Sequence, residues 1–344
     1  MKSKSRVYYV DFIRVFAICM VIILHCICDY FNNATNSQDI FWYIMGYVNE
    51  LTRIGVPLFF MISGFLLLSS NIPDVKNFYK HRFMKLCVPF IIYDIFYYIV
   101  FPGRQSFSIY EFLQELFNSG SSYHLWFMYS ILFLYLLLPF IKKITDNCSL
   151  KMLLLFFTIS IFQTTIRPFI NTVFNGSIYL FVTDDGISGY LGYMLLGYIL
   201  GKYEFSPKTR RLIYLAGLLS YAVFPLISMH TMKATGSSVY NGGYFINHYI
   251  EAASFFVACK QVIRKDNKFF SKMSTLTMDA YFIHVFVIDN LKKINFGMSL
   301  FVIIPIYIVA SILLSFFWAY IVSKIKILFQ KKQLKRQKEY SLNR

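Results

Sequence analysis

The sequence has little charge, and acids are half as numerous as bases. Of 344 residues, 15% are charged, with 17 Asp and Glu against 34 Lys and Arg. A soluble globular chain carries about 25% charged residues. The shortfall, together with 57% hydrophobic residues and a mean hydropathy of +0.53, excludes a water-soluble enzyme, a disordered tail protein and a coiled coil. We predict an all-α, polytopic integral membrane protein.

The sequence also lacks the cysteine patterns of a metal or disulfide site, and its first apolar run lacks the pattern of a signal peptide. Its six cysteines are scattered mainly through apolar stretches, without a CxxC pair or a His/Cys cluster at zinc spacing. We therefore expect neither a metal site nor a disulfide framework. Asp11 and Arg14 interrupt the first apolar run, and no small-residue cleavage site follows it, which favours a retained helix over a signal peptide.

Long apolar runs fill the rest of the chain. A membrane span needs roughly 20 mostly apolar residues, and breaks at charge clusters and turn residues predict ten spans. They lie near residues 8–28, 44–69, 86–102, 124–141, 150–166, 187–201, 211–229, 245–262, 276–292 and 299–323. The second is the least regular, because Gly55 and Pro57 interrupt its start.

The positive charges lie between these runs, as in a membrane protein that marks its cytoplasmic loops. The division into ten spans places 27 Lys and Arg on the side of both termini and five on the opposite side. We therefore expect both termini in the cytoplasm and no nucleic-acid partner. Residues 331–344 form a basic tail, which we expect to contact anionic membrane lipids.

Three ionisable residues lie in the first predicted helix, at Asp11, Arg14 and His25. Ionisable groups inside a span are costly and indicate function. Eleven positions separate Arg14 from His25, so their directions around the helix axis differ by only about 20° and they lie about 16.5 Å apart along it. The two residues therefore share a face. Asp11 lies one turn before Arg14 and can neutralise it. A snorkelling Asp–Arg pair at the interface and a buried structural histidine remain an alternative.

Two further segments suggest a site at the cytoplasmic end. RIGVPLFFMISGFLL places Ser63 and Gly64 in a bulky helix, where small residues allow close helix approach. KHRFMKLCVPF places Arg82 and Lys85 on one helical face before Pro89. Two cations at a cytoplasmic opening suit a diphosphate, although ordinary positive-inside anchoring explains them equally well.

Several motifs follow one another along nearly the whole chain: Asp-x-x-Arg and Arg-x10-His in the first helix, VPLFFMISGFLL, Arg-x-x-Lys-x-x-x-Pro, HLWFMYSILFLYLLLPFI, GYMLLGYILGK and AYFIHVFVI. Together they resemble the acyltransferase 3 family, bacterial ten-helix membrane proteins that O-acylate cell-surface glycans. The resemblance implies that Arg14 and His25 are the family's paired motif residues. It also implies that Arg82 and Lys85 are its cytoplasmic basic motif. Lys85 stands where Arg is frequent, and Lys cannot make a bidentate phosphate contact.

The resemblance implies a multi-pass O-acyltransferase of the bacterial plasma membrane, with residues 1–330 as a single transmembrane acyltransferase domain. We expect acyl-CoA, in particular acetyl-CoA, as donor substrate and no bound cofactor. The expected acceptor is a hydroxyl of an envelope glycan or a lipid-linked saccharide. Arg82, Lys85 and Arg14 would bind the donor, Asp11 would orient Arg14, and His25 would be the general base. A covalent acyl-histidine is a less favoured alternative.

Three more residues are candidates for the acceptor side. His248 and Glu251 are three positions apart and share a helix face, where they could orient a sugar or form a plain surface ion pair. His284 matches a frequent histidine of the family, and a structural hydrogen bond to a neighbouring helix explains it nearly as well. A transporter or exporter of an amino acid or glycan remains the alternative function, because buried charges serve transport equally well.

Overall fold

The computed structural model describes residues 6–33, 39–100, 107–118, 120–173, 185–235, 245–294 and 297–342, and no strand occurs within these ranges. The thirteen α-helices found there are α1 (Tyr8–Asn33), α2 (Ile40–Thr52), α3 (Gly55–Leu68), α4 (Val75–Val100), α5 (Ile109–Asn118), α6 (Trp126–Asn147), α7 (Leu150–Val173), α8 (Asp185–Lys202), α9 (Pro207–Thr235), α10 (Ile246–Val262), α11 (Lys268–Met273), α12 (Thr277–Lys292) and α13 (Leu300–Leu342). A short 3-10 turn, Tyr123–Leu125, precedes α6. The predicted all-α class is confirmed.

Within the described residues, nine of the ten predicted segments each fall on one helix, and the second falls on two. By length and composition, six segments of the described chain are long and apolar enough to cross a membrane: Tyr8–Asn32, Ile40–Leu68, Val75–Val100, Tyr123–Asn147, Pro207–Ala234 and Leu300–Gln333. Helices α8, α10 and α12 have 18, 17 and 16 residues, which is at the short limit for a bilayer of about 30 Å. The count of ten spans and the cytoplasmic termini stay predictions.

The second predicted segment, 44–69, consists of two helices instead of one. Helix α2 ends at Thr52, and α3 begins at Gly55 with Pro57 in its first turn. Proline has no N–H to donate to the carbonyl four residues earlier, at Arg53, and its ring clashes with that turn. The chain therefore restarts as a new helix, and proline is tolerated in its first turn because N–H groups there have no partner within the helix.

Helix α1 lies inside the bundle. It packs against α2, α3, α10, α11, α12 and α13. Ile13, Ile18 and Ile22 on α1 are fully buried, as are Cys26 and Ile27 near its far end. A helix that is apolar around most of its circumference is typical of such a central position. Any charge on α1 must therefore find a partner inside the bundle or face a cavity.

Helices α3 and α8 make a close backbone contact. A Cβ placed on Gly64 would collide with the backbone carbonyl of Met194, and a Cβ placed on Gly197 would collide with that of Met61. The two contacts are reciprocal, since each glycine faces the methionine three residues before the other. The predicted use of a small residue for close helix approach is confirmed at Gly64.

Replacing Gly64 by alanine should destabilise the fold. The clash is with backbone, which cannot move without separating α3 from α8, so we expect a loss of about 1–3 kcal/mol. The matched control is Gly46→Ala, whose nearest neighbour is the end of the flexible Met229 side chain. Thermal unfolding in detergent should show a clearly larger decrease in Tm for Gly64→Ala. Equal decreases would contradict the backbone contact as the cause.

Candidate functional site

A cavity of about 810 Å³ lies between α1, α3, α4, α6 and α12. Three cations that the sequence singled out, Arg14, Arg82 and Lys85, all line it. Within the described ranges, neither Arg82 nor Lys85 has a carboxylate partner. The structure therefore places these three residues around one cavity, and their role in donor binding stays a prediction. The positive charge of Arg82 and Lys85 favours an anionic ligand.

Asp11 is held chiefly by groups other than Arg14. Its side chain accepts hydrogen bonds from Arg6 Nε at 2.5 Å and from Ser274 Oγ at 2.8 Å. Ser271 Oγ lies at 3.4 Å, while the guanidinium of Arg14 is 3.9 Å away. Asp11 therefore contacts Arg6 more closely than Arg14, and the expected orientation of Arg14 by Asp11 stays a prediction. Its carboxylate is buried and is neutralised mainly by Arg6, which the sequence analysis treated as a topology signal.

The partners of Asp11 come from the corner between α11 and α12. Asn267 caps α11, because its side chain accepts the backbone N–H of Phe269 at 2.9 Å. The cap starts the six-residue helix that carries Ser271, and Ser274 follows at its end. Arg6 also donates to the carbonyl oxygen of Ser271. The start of the chain is thus bound to the start of α12, beside the cavity.

Arg14 can still reach a ligand, because its closest approach to Asp11 is 3.9 Å, longer than a hydrogen bond. Its side chain is 34% exposed and lines the cavity. A guanidinium presents planar donors that match phosphate oxygens in pairs. Arg14 is therefore placed to bind an anion inside the bundle, whereas a fully neutralised Arg–Asp pair would not be.

The cavity extends along α12 away from the cations. Thr277, Met278 and Tyr281 line it on that helix. The hydroxyl of Tyr97 donates to the carbonyl oxygen of Phe282 at 2.7 Å, which places this part of α12 level with Tyr97 on α4. Tyr97 is twelve residues beyond Lys85, a rise of about 18 Å. The cavity therefore joins the cationic end to a site deep in the bundle.

Aromatic rings and three histidines meet beyond Tyr281. The ring of His284 lies 5.6 Å from Tyr281, 5.3 Å from His25 and 5.0 Å from His124, between centroids. Tyr123 lies 5.3 Å from His25, with its hydroxyl 3.4 Å from Nδ1. The pairing of His25 with His284 connects two sequence candidates from helices α1 and α12. None of these three histidines lines the cavity, whose last lining residue on α12 is Tyr281.

Hydrogen bonds indicate the tautomers in this cluster. Nδ1 of His284 lies 2.5 Å from the carbonyl oxygen of Tyr281, and because a carbonyl only accepts, Nδ1 carries the proton. Nδ1 of His124 lies 2.9 Å from Ser122 Oγ. The Nε2 atoms of His124 and His284 are buried and have no hydrogen-bond partner among the described residues. Such atoms are costly in a finished core and suit a site that receives a substrate.

The sequence analysis missed His124 as a member of this cluster. His124 is the first residue of HLWFMYSILFLYLLLPFI, where the neighbouring Trp126 suggests an ordinary interfacial anchor. His124 is nevertheless 2% exposed and contacts His284 on another helix. No spacing within one helix could reveal this contact, because it depends on how the 3-10 turn before α6 packs against α12.

His248 and Glu251 lie elsewhere. His248 Nδ1 is 3.3 Å from Glu251, which also accepts from Ser220 Oγ on α9 at 2.7 Å. Both residues are buried and line neither of the two cavities at α1. They form a polar contact between α9 and α10 inside the bundle, not a surface ion pair. Their expected role beside the acceptor stays a prediction.

Comparison with known proteins gives one match. The sequence model of the acyltransferase 3 family, described as an acyltransferase domain, matches residues 7–324. No curated protein and no solved structure matches the chain. The match includes every candidate residue above except Arg6.

The contact of Arg6 with Asp11 should stabilise the bundle. Arg6→Ala leaves a buried carboxylate without its nearest partner, and we expect a loss of about 1–3 kcal/mol. Asp11→Ala leaves Arg6, which is 48% exposed and can be hydrated. The double variant should therefore lose less than the sum of the single variants, as measured by unfolding in detergent. Strict additivity would contradict the pairing.

Proposed function

Because this chain belongs to the acyltransferase 3 family, we propose that it is a membrane O-acyltransferase that moves an acyl group from acyl-CoA to a hydroxyl of an envelope glycan or lipid-linked saccharide. Acetyl-CoA is the proposed donor. One observation carries the proposal: a single cavity is lined by Arg14, Arg82 and Lys85 and, farther along, by Tyr281, which contacts the histidine cluster.

The proposal includes a topology. Ten spans with both termini in the cytoplasm would place Arg82 and Lys85 at the cytoplasmic opening, where acyl-CoA is available. His25 would then lie toward the outer side of a bacterial plasma membrane, where an envelope glycan is present. Residues 1–330 would form one transmembrane domain, and residues 331–344 a basic tail on the cytoplasmic surface. The distribution of Lys and Arg supports this orientation.

The cationic end suits the phosphates of the donor. Arg14 and Arg82 offer guanidinium donors, and Lys85 adds an ammonium group. From these groups, the pantetheine arm would follow the cavity along α12 toward Tyr281. The separation of about 18 Å between the level of Lys85 and that of Tyr97 suits an extended arm. The thioester would then arrive beside His284 and His25.

His25 is the proposed general base. In the proposed tautomer, Nδ1–H of His25 donates to the Tyr123 hydroxyl, whose oxygen lies 3.4 Å away. Nε2 then has a free lone pair that accepts the proton of the acceptor hydroxyl. The acceptor oxygen attacks the thioester carbonyl carbon, a C–O bond forms, and the C–S bond then breaks. The proton passes from His25 to the leaving thiolate, so the products are the O-acyl acceptor and CoA thiol. His284, whose ring centroid lies 5.3 Å from that of His25, is proposed to position the His25 ring.

The end of α1 beyond His25 is suited to a polar acceptor. Lys292 donates to the carbonyl oxygen of His25 at 3.2 Å and to Asp29 at 2.7 Å. Asp29 is largely exposed, as is Tyr123. Hydroxyl-rich ligands need such donors and acceptors near the general base. The acceptor is therefore proposed to enter from this end, opposite the phosphates.

His25→Ala should abolish transfer. Loss of a general base lowers kcat by about 10²- to 10⁴-fold, and the substitution should leave the amount of folded protein in the membrane unchanged. The measurement uses purified protein in nanodiscs with radiolabelled acetyl-CoA and an envelope glycan preparation, and follows release of CoA and label on the glycan. His230→Ala removes an exposed histidine on α9 and is the matched control. Wild-type transfer by His25→Ala would remove His25 from the mechanism.

Arg82→Ala combined with Lys85→Ala should weaken donor binding. Loss of charge-assisted contacts to phosphate should raise KM for acetyl-CoA by about tenfold to hundredfold, with a smaller effect on kcat. Lys76→Ala combined with Lys80→Ala is the control, because both lysines are exposed on α4 and line neither cavity. An unchanged KM in the first variant would leave both residues as topology signals.

A further inference from the structure

A second cavity of about 740 Å³ adjoins the first. The two share five lining residues, among them the guanidinium groups of Arg14 and Arg82. From this shared wall, the first cavity continues toward Tyr281, whereas the second continues toward the loop between α3 and α4 and the first turns of α4. Two separate spaces therefore meet at a pair of arginines.

This arrangement suits a ligand with an anionic centre and two arms. CoA has that form, because a diphosphate joins the pantetheine arm to adenosine 3′-phosphate. A diphosphate held between Arg14 and Arg82 would direct one arm into each cavity. The first cavity leads to the histidines, so it takes the arm that carries the thioester, and the second is left for the nucleoside.

We propose that the second cavity is the binding site for the adenosine 3′-phosphate end of the donor. This inference rests on the proposed function and extends it, since it assigns a separate site to the part of the donor that does not react. A donor that ends at the phosphopantetheine would leave this site empty. The protein would therefore distinguish acyl-CoA from shorter phosphopantetheine thioesters.

The lining of the second cavity matches a purine nucleoside. Phe78 presents a partly buried aromatic ring, with the guanidinium carbon of Arg82 5.9 Å from its centroid. Stacking of a base on an aromatic side chain is worth about 1–3 kcal/mol. Asn71 contributes an amide group, which can donate to and accept from an adenine edge, and His81 contributes an imidazole. The amide nitrogen of Asn77 donates to the carboxylate of Asp74 at 2.6 Å, and both residues line the cavity. The first cavity has no amide side chain in its lining.

The test compares two thioesters on the full chain in nanodiscs. Acetyl-CoA has both arms, whereas S-acetyl-4′-phosphopantetheine lacks the adenosine end. The wild-type protein should bind acetyl-CoA about tenfold more tightly or better, as expected for one stacked base. Calorimetric titration without acceptor gives both dissociation constants. Equal affinity would overturn the nucleoside site and leave the proposed donor site in the first cavity intact.

Substitutions at two nearby positions can test the two cavities separately. Ser69 lines the first cavity and Asn71 lines the second, and both are exposed. Asn71→Trp should fill the second cavity and abolish the preference for acetyl-CoA, with little change for the shorter thioester. Ser69→Trp should weaken both probes. Asn147→Trp, at an exposed position that lines neither cavity, is the control and should behave as wild type.

The outcomes distinguish this inference from the function on which it rests. A preference for acetyl-CoA that survives Asn71→Trp would overturn the nucleoside site. Failure of the wild-type protein to bind either thioester would overturn the proposed function as well. The comparison of the two probes on wild-type protein needs no substitution, so it decides the question even if a tryptophan variant folds poorly.

Discussion

The enclosure of α1 by other helices is the constraint on which the site depends. A carboxylate buried in such a helix requires partners, and Asp11 finds them in Arg6 and Ser274. That pairing closes the bundle at the start of α12. Because Arg6 and Ser274 are the closer partners of Asp11, the guanidinium of Arg14 stays 3.9 Å away and lines the cavity. The contact of Arg6 with Asp11 and the position of Arg14 at the cavity thus result from the same arrangement of side chains.

Much of the fold could be predicted because its elements are local in sequence. Ten apolar segments fall on helices, and Gly64 marks a close helix contact that a single residue type can indicate. The break between α2 and α3 was less visible, although Pro57 determines it through a missing donor and a steric clash. Arg82 and Lys85 were identifiable as a pair, since helical spacing places them on one face.

The rest of the site depends on contacts between distant residues, which spacing does not encode. Arg6 reaches the α11–α12 corner more than 260 positions away, and His124 meets His284 across two helices. His248 and Glu251 show the limit of local spacing in another way, because Ser220 of α9 completes a contact that their shared helix face only suggests. A buried polar cluster satisfied by a neighbouring helix and a binding site have the same local pattern.

The distance between the arginines and the histidines has a consequence for catalysis under the proposed function. Interactions far from the reacting bond do not stabilise its transition state directly, but they can hold the reacting group in place. Arg14 and Arg82 would fix the donor at its diphosphate, so the thioester can move only along the cavity that ends at Tyr281. Binding of the diphosphate at the cationic end would thus help to orient the thioester relative to His25.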